Sequence, residues 1–164
     1  MRNRAISLLA FILAISLPAC GFELRGSDAI SSGFNSLNLE LEQPKSELSA
    51  LLKRSLTAAG VNLSPQQPNT SATLRVSDER ISSRPMSINP RARASQVEIR
   101  LSVRFTLTIP GRTSIPEETL AVVRTYFQDI ENIAGSQEEA LLIADELRRE
   151  LSDNLLRRLE STIE

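Results

Sequence analysis

Histidine is missing from this 164-residue chain. The commonest general base near neutral pH and the commonest nitrogen ligand for a metal are therefore unavailable. Cys20 is the only cysteine, so no disulfide can form within the chain and any thiol chemistry would depend on that one residue. No serine lies in a G-x-S-x-G elbow or an S-x-x-K pattern, and there is no glycine-rich phosphate loop. The adjacent carboxylates Glu117 and Glu118, or Glu138 and Glu139, do not make up for this, because neighbours on a strand or helix point apart. These absences argue against hydrolytic, metal-assisted and thiol-based catalysis. They imply a non-enzymatic protein with no metal and no cofactor.

Lysine is scarce as well. Only Lys45 and Lys53 among the 19 basic residues are lysines. Arginine's fixed fork suits bidentate contact with phosphate or carboxylate groups, although nucleotide bias in a genome explains such a preference equally well. The charge is uneven along the chain. Residues 72–112 hold eight arginines against Asp78, Glu79 and Glu98, a net of +5, whereas residues 113–164 hold twelve acids against five arginines, a net of −7. A basic middle followed by an acidic end does not suit nucleic acid. An anionic partner for the middle section fits better.

The beginning of the chain reads as an export signal. Arg2 and Arg4 form a positive end, Ile6 to Leu17 is an apolar stretch too short to span a bilayer, and Leu17-Pro18-Ala19-Cys20-Gly21 closes it. Ser7, Ser16 and Pro18 interrupt the stretch and argue against a retained anchor. A small residue before a cysteine at this boundary resembles the bacterial lipobox. On that reading residues 1–19 are a lipoprotein signal peptide, and Cys20 becomes the acylated first residue of the mature protein. Burying acyl chain contributes about 0.8 kcal/mol per methylene, and several chains hold stably where one does not. Gly21 stands where an aspartate would retain the protein in the inner membrane, so the expected destination is the outer membrane, periplasmic side. Residues 20–33 are a tether, and residues 34–164 form a single domain with room for one modest core.

Within that domain the hydrophobic period changes several times. Leu37, Leu39 and Leu41 alternate with polar residues as in a half-buried strand. Ser46 can cap a helix with Leu48, Leu51, Leu52 and Leu56 on one side and Gly60 at its end. A loop at 64–71 leads to a second strand, about Ala72 to Ile81, with Leu74 and Val76 facing inward. A polar loop from Ser82 to Ser95 follows, containing Pro85, Pro90, Arg84, Arg91 and Arg93. Val97, Ile99, Leu101, Val103, Phe105, Leu107 and Ile109 then alternate without a fault, so an extended chain places all of them on one face. Pro110-Gly111 suits a turn. Leu120 to Phe127 supplies a fourth strand, with Leu120, Val122 and Tyr126 on one side and Val123 and Phe127 on the other. Ser136 and Glu139 form a capping box opening a helix striped with Ala140, Ile143, Ala144, Leu147, Leu151, Leu155 and Leu159.

The predicted order is β-α-β-β-β-α. It makes an α+β fold, with a four-stranded, mostly antiparallel sheet carrying two helices on one face. Its other face keeps Arg, Ser and Thr, and either meets water or is covered by a larger partner.

The run Cys20-Gly21-Phe22-Glu23-Leu24-Arg25-Gly26 resembles the mature start of the LptE-type lipopolysaccharide-assembly lipoproteins. The strand ending in Ile109-Pro110-Gly111-Arg112 and the Val123-Arg124-Thr125-Tyr126-Phe127 strand before a terminal helix are similar too, and the element order agrees over nearly the whole chain. The resemblance implies two helices against a four-stranded sheet. It implies a plug in the lumen of the LptD outer-membrane β-barrel, as a one-to-one complex, that supports barrel assembly and the passage of lipopolysaccharide to the outer leaflet. It also implies lipopolysaccharide binding, with Arg91 and Arg93 beside Pro90 as phosphate or carboxylate contacts. The stretch from Ile130 to Gly135, where a second basic contact is expected, contains none. The competing reading is a lipid-anchored periplasmic scaffold or binding module acting on a soluble or cell-wall partner.

Overall fold

A computed structural model describes residues 36–63, 71–88, 94–112, 114–129 and 131–163. The expected signal peptide and tether, residues 1–33, lie outside them, as do Cys20, Arg91 and Arg93. The elements run β1 (Ser36–Leu41), α1 (Glu47–Ala58), β2 (Asn62–Leu63), β3 (Ala72–Ile88), β4 (Ala94–Thr108), β5 (Ile115–Phe127) and α2 (Ile133–Ile163). They form one sheet in the order β2-β1-β3-β4-β5.

The expected α+β class and the two helices are present, but the sheet has five strands and is mixed. β1 pairs in parallel with both β2 and β3, while β3–β4 and β4–β5 are antiparallel. The cause is α1. A helix between β1 and β3 returns the chain to the starting edge, so the next strand must run the same way as the first. The two-residue β2 forms as the chain leaves α1, with Ser36 opposite Asn62 and Leu37 opposite Leu63.

α1 begins and ends as its sequence predicts. The Ser46 hydroxyl accepts the Ser49 N–H at 3.0 Å. At the other end Gly60 takes φ +79°, the Gly60 N–H donates to the Thr57 carbonyl, and the Val61 N–H donates to the Leu56 carbonyl. This pair of bonds is the Schellman motif, and the left-handed residue it needs falls on glycine. α2 begins one turn before the expected capping box. The Asn132 side-chain oxygen accepts the Gly135 N–H at 3.0 Å and its carbonyl accepts the Ser136 N–H. Ser136 is thus inside the first turn, buried, and its hydroxyl exchanges hydrogen bonds with the backbone of Asp129.

Two strands are longer than expected. β3 does not stop at Ile81 but runs to Ile88, across half of the predicted polar loop, and β5 begins at Ile115. At about 3.3 Å per residue, the 17 residues of β3 span roughly 56 Å. Pairing with β4 overrides the weak strand propensity of Ser82, Ser83 and Pro85, with register shifts near Pro85 absorbing its missing N–H.

The core lies between the inner sheet face and the helices. Val97, Ile99, Leu101, Val103, Phe105 and Leu107 are all buried, and Ile109 packs at the margin. Opposite them α1 contributes Leu48, Leu52 and Leu56, and α2 contributes Leu147, Leu151, Leu155 and Leu159. Each such side chain stabilises the fold by about 1.5–3 kcal/mol when fully buried. α2 lies over β4 and β5, and α1 packs beside it.

Candidate functional site

Neither described helix lies over the outer sheet face, and cross-strand register fixes what stands on it. β3 and β4 set Ser77 opposite Arg104, Arg80 opposite Ser102, Ser82 opposite Arg100, and Arg84 opposite Glu98. Arginine and serine thus alternate in both directions, which keeps the guanidinium groups apart while leaving each one room for a carboxylate. Most have found one. Arg75 pairs with Glu40 at 2.8 Å, Arg80 with Asp78 at 3.1 Å, and Arg104 with Asp78 at 3.3 Å and Glu117 at 3.4 Å. Arg84 grips Glu98 with both prongs, at 2.7 and 3.1 Å. That hydrogen bonding holds the Glu98 carboxyl below its ordinary value of 4.5, against a smaller desolvation effect and with further help from the charges of Arg84 and Arg100, and it raises Arg84 in return.

The pairing makes the face hydrophilic but nearly neutral, which the one-dimensional charge count does not reveal. A depression on it, about 440 Å³, is bounded by Glu40, Glu42 and Glu117 as well as Arg75 and Arg104. Mixed signs at its rim favour neither an anion nor a cation. Among the described residues no group of three or more acidic residues or cysteines is arranged to hold a metal ion, and no helix is long and apolar enough to cross a membrane.

A second depression, about 240 Å³, lies at the far end of the sheet between Ser83, Pro85, Val97 and Tyr126. Beyond the Leu41–Val76 pair β3 has only β4 beside it, and Ile81 and Met86 are about half exposed. The connection carrying Arg91 and Arg93 joins β3 to β4 at this end. The two arginines themselves lie outside the described residues, which build the paired strands leading up to them.

A bulge separates arm from body. Register passes from Ser77–Arg104 directly to Arg80–Ser102, and Asp78 takes φ +51°. The Asp78 N–H donates to the Glu42 carboxylate at 2.7 Å, the Gln43 amide donates to the Glu79 carbonyl at 3.2 Å, and the Ser46 hydroxyl donates to the Glu79 carboxylate. The same serine that caps α1 thus ties the helix to the bulge. Sequence reading missed this feature, although aspartate in mid-strand is a usable signal for a bend.

A mixed five-stranded sheet with two described helices on one face and a hydrophilic face on the other defines a small two-layer α+β body. The lipopolysaccharide-assembly family model, LptE, matches residues 34–159, and the chain belongs to that family. It is 26% identical over 160 residues to the LPS-assembly lipoprotein LptE of Yersinia pestis strain Pestoides F, covering 97% of this chain and 77% of that protein. The same figures hold for the protein of that name from Yersinia pseudotuberculosis serotype O:1b. Among solved structures, the rare lipoprotein B from Shewanella oneidensis superposes with a TM-score of 0.72 at 23% identity, over 78% of this chain and 96% of that one. A minor lipoprotein from Acinetobacter baumannii gives 0.55 at 25% identity, over 79% and 90%.

Proposed function

We propose that this chain is a lipid-anchored subunit on the periplasmic side of the outer membrane. It plugs an LptD-type β-barrel in a one-to-one complex, helps that barrel assemble, and binds lipopolysaccharide on its way to the outer leaflet. The observation that supports this reading best is the asymmetry of the sheet. One face is sealed by leucine-rich helices, and the other offers a broad, ion-paired surface suited to the hydrated interior of a barrel. Membership of the lipopolysaccharide-assembly family supports it from a separate direction.

In this role the chain performs no reaction and carries no cofactor beyond the acyl groups on Cys20. Those groups hold the body at the membrane surface. Arg91 and Arg93, in the stretch between β3 and β4, would take phosphate or carboxylate groups of the glycolipid.

Gentle detergent extraction of the tagged full chain tests the main claim. A stoichiometric large barrel is the expected companion, and its absence would favour the periplasmic scaffold reading. Mass spectrometry of the mature N-terminus should find an acylated Cys20, and Cys20→Ala should abolish the modification. The double change Arg91→Ala and Arg93→Ala should weaken lipopolysaccharide binding, with the loss largest at low salt where exposed charges are least screened. Unchanged binding removes both residues from the site.

A further inference from the structure

The outer face is not uniform. On β5 the residues opposite the outward row of β4 are Thr119, Ala121, Val123, Thr125 and Phe127, facing Arg104, Ser102, Arg100, Glu98 and Gln96 in turn. This row carries no charge from Thr119 to Phe127, whereas the rows on β3 and β4 carry one at nearly every second position. Phe127 is 71% exposed and Val123 40%. A phenylalanine left largely in water on an otherwise hydrophilic sheet costs solubility and contributes little to the core. The strip also lies on the last strand of the sheet, so another chain can approach it from the side as well as from above.

Arg100 stands beside this strip, with Val123 on one side and Ser82 on the other. Among the described residues it is the one outward arginine of β3 and β4 with no carboxylate in ion-pair contact; Arg75, Arg80, Arg84 and Arg104 all have one. The nearest acid along its own strand, Glu98, is already held in the fork of Arg84. A single guanidinium without a carboxylate in ion-pair contact, next to exposed apolar side chains, is half of a recognition element, and the missing half is one carboxylate surrounded by apolar groups.

We propose that Val123, Thr125 and Phe127, together with Arg100, form the docking strip for a partner protein, which lays apolar side chains against Val123 and Phe127 and brings a carboxylate to Arg100. The inference rests on the barrel reading above and names the part of the sheet through which that contact is made. A glycolipid is the weaker occupant. Its phosphates gather several guanidinium groups at once, and here the neighbouring ones are already neutralised.

The test uses the full-length, lipidated chain, tagged and produced together with its barrel in outer membranes. Three forms are compared: the unchanged chain, Arg100→Gln, and the double variant Val123→Thr with Phe127→Thr, which puts a strand-compatible β-branched residue at both positions. A fourth, Lys53→Gln, alters an exposed cation on α1, away from the outer sheet face. Urea midpoints of the four are expected to agree closely, since every changed side chain is exposed. The barrel recovered per tagged chain should fall about tenfold or more in the double variant, fall less in Arg100→Gln, and hold steady in Lys53→Gln. Equal recovery with all four forms overturns the inference and leaves the barrel reading standing. No barrel with the unchanged chain overturns both. If the strip variants retain the barrel but lose lipopolysaccharide, the surface is a lipid site and the inference fails. It also fails if they retain the barrel but abolish a self-dimer of the chain.

Discussion

Among single residues, Arg158 makes the clearest contribution to the body of the protein. It reaches from α2 to β5 and holds Glu118 with both prongs, at 2.7 and 3.0 Å, while its other nitrogen contacts the Ser161 and Thr162 hydroxyls. The hydrogen bonding lowers the Glu118 carboxyl from its ordinary 4.5, a shift partly opposed by desolvation. A carboxyl whose folded pKa is depressed contributes stability at pH values above 4.5 and loses it as pH falls through the lower folded value. Both side chains are about one-third exposed, which limits the contribution to about 0.5–1 kcal/mol. Glu118→Gln should therefore lower the urea-unfolding free energy by about that amount at pH 7. The gap to the unchanged protein should close in acid. A gap that persists undiminished at pH 3 would show that the side chain acts through packing instead.

Asp78 is the second residue to test. An L-residue at φ +51° carries a cost of about 1–2 kcal/mol that aspartate bears better than most. Here its amide and carboxylate are both used, by Glu42 on one side and by Arg80 and Arg104 on the other. Asp78→Val should destabilise by about 2 kcal/mol, because a β-branched residue fits this backbone worst. Asp78→Gly should cost less, since relief of backbone strain offsets the lost ion pairs. The two midpoints, measured side by side, separate backbone from charge.

At the scale of elements, the ends of α1 explain how a 12-residue helix is held in place. Ser46 caps it and bonds Glu79, so Ser46→Ala removes both contacts and should cost about 1 kcal/mol, with the loss readable in chemical denaturation. This helix was legible in the sequence because its signals are local: a serine before a leucine stripe and a glycine after it. The alternation from Val97 to Ile109 was legible for the same reason. The far half of β3 was not. Ser82, Ser83 and Pro85 have poor strand propensity, and the force that extends them is pairing with β4, a contact between residues distant in sequence. Even so, the spacing held a clue. Leu74 and Val76 share a parity that Ile81 breaks, and one extra residue at the bulge restores Ile81 to the inner face, opposite Leu101. The start of α2 was misplaced because Asn132, one turn earlier, caps the helix, while the Ser136 hydroxyl is engaged by the Asp129 backbone.

For the whole molecule, the helical layer and the sheet are of unequal extent. α2 is 31 residues, about 46 Å long, and covers β4 and β5, while the 12-residue α1 packs beside α2 and β2 and reaches β3 through its cap at Ser46. Backbone amides of Ala72 to Val76 lie between two strands and under buried side chains, whereas those from Arg80 to Met86 belong to exposed residues with a strand on one side only. Amide hydrogen exchange should therefore be markedly slower in the first group than in the second. Leu151, 1% exposed, sits in the middle of the sealed side, and Leu151→Ala should cost about 2–5 kcal/mol across the entire domain.

The bulge at Asp78 and Glu79 also has an evolutionary consequence. It works as a joint that is bolted to the helix cap on one side and leaves the strand beyond it with few obligations to the interior. Changes in length or composition past that joint are inexpensive for folding, so natural selection can tailor the hairpin to different cell envelopes while the hydrophobic body remains as it is.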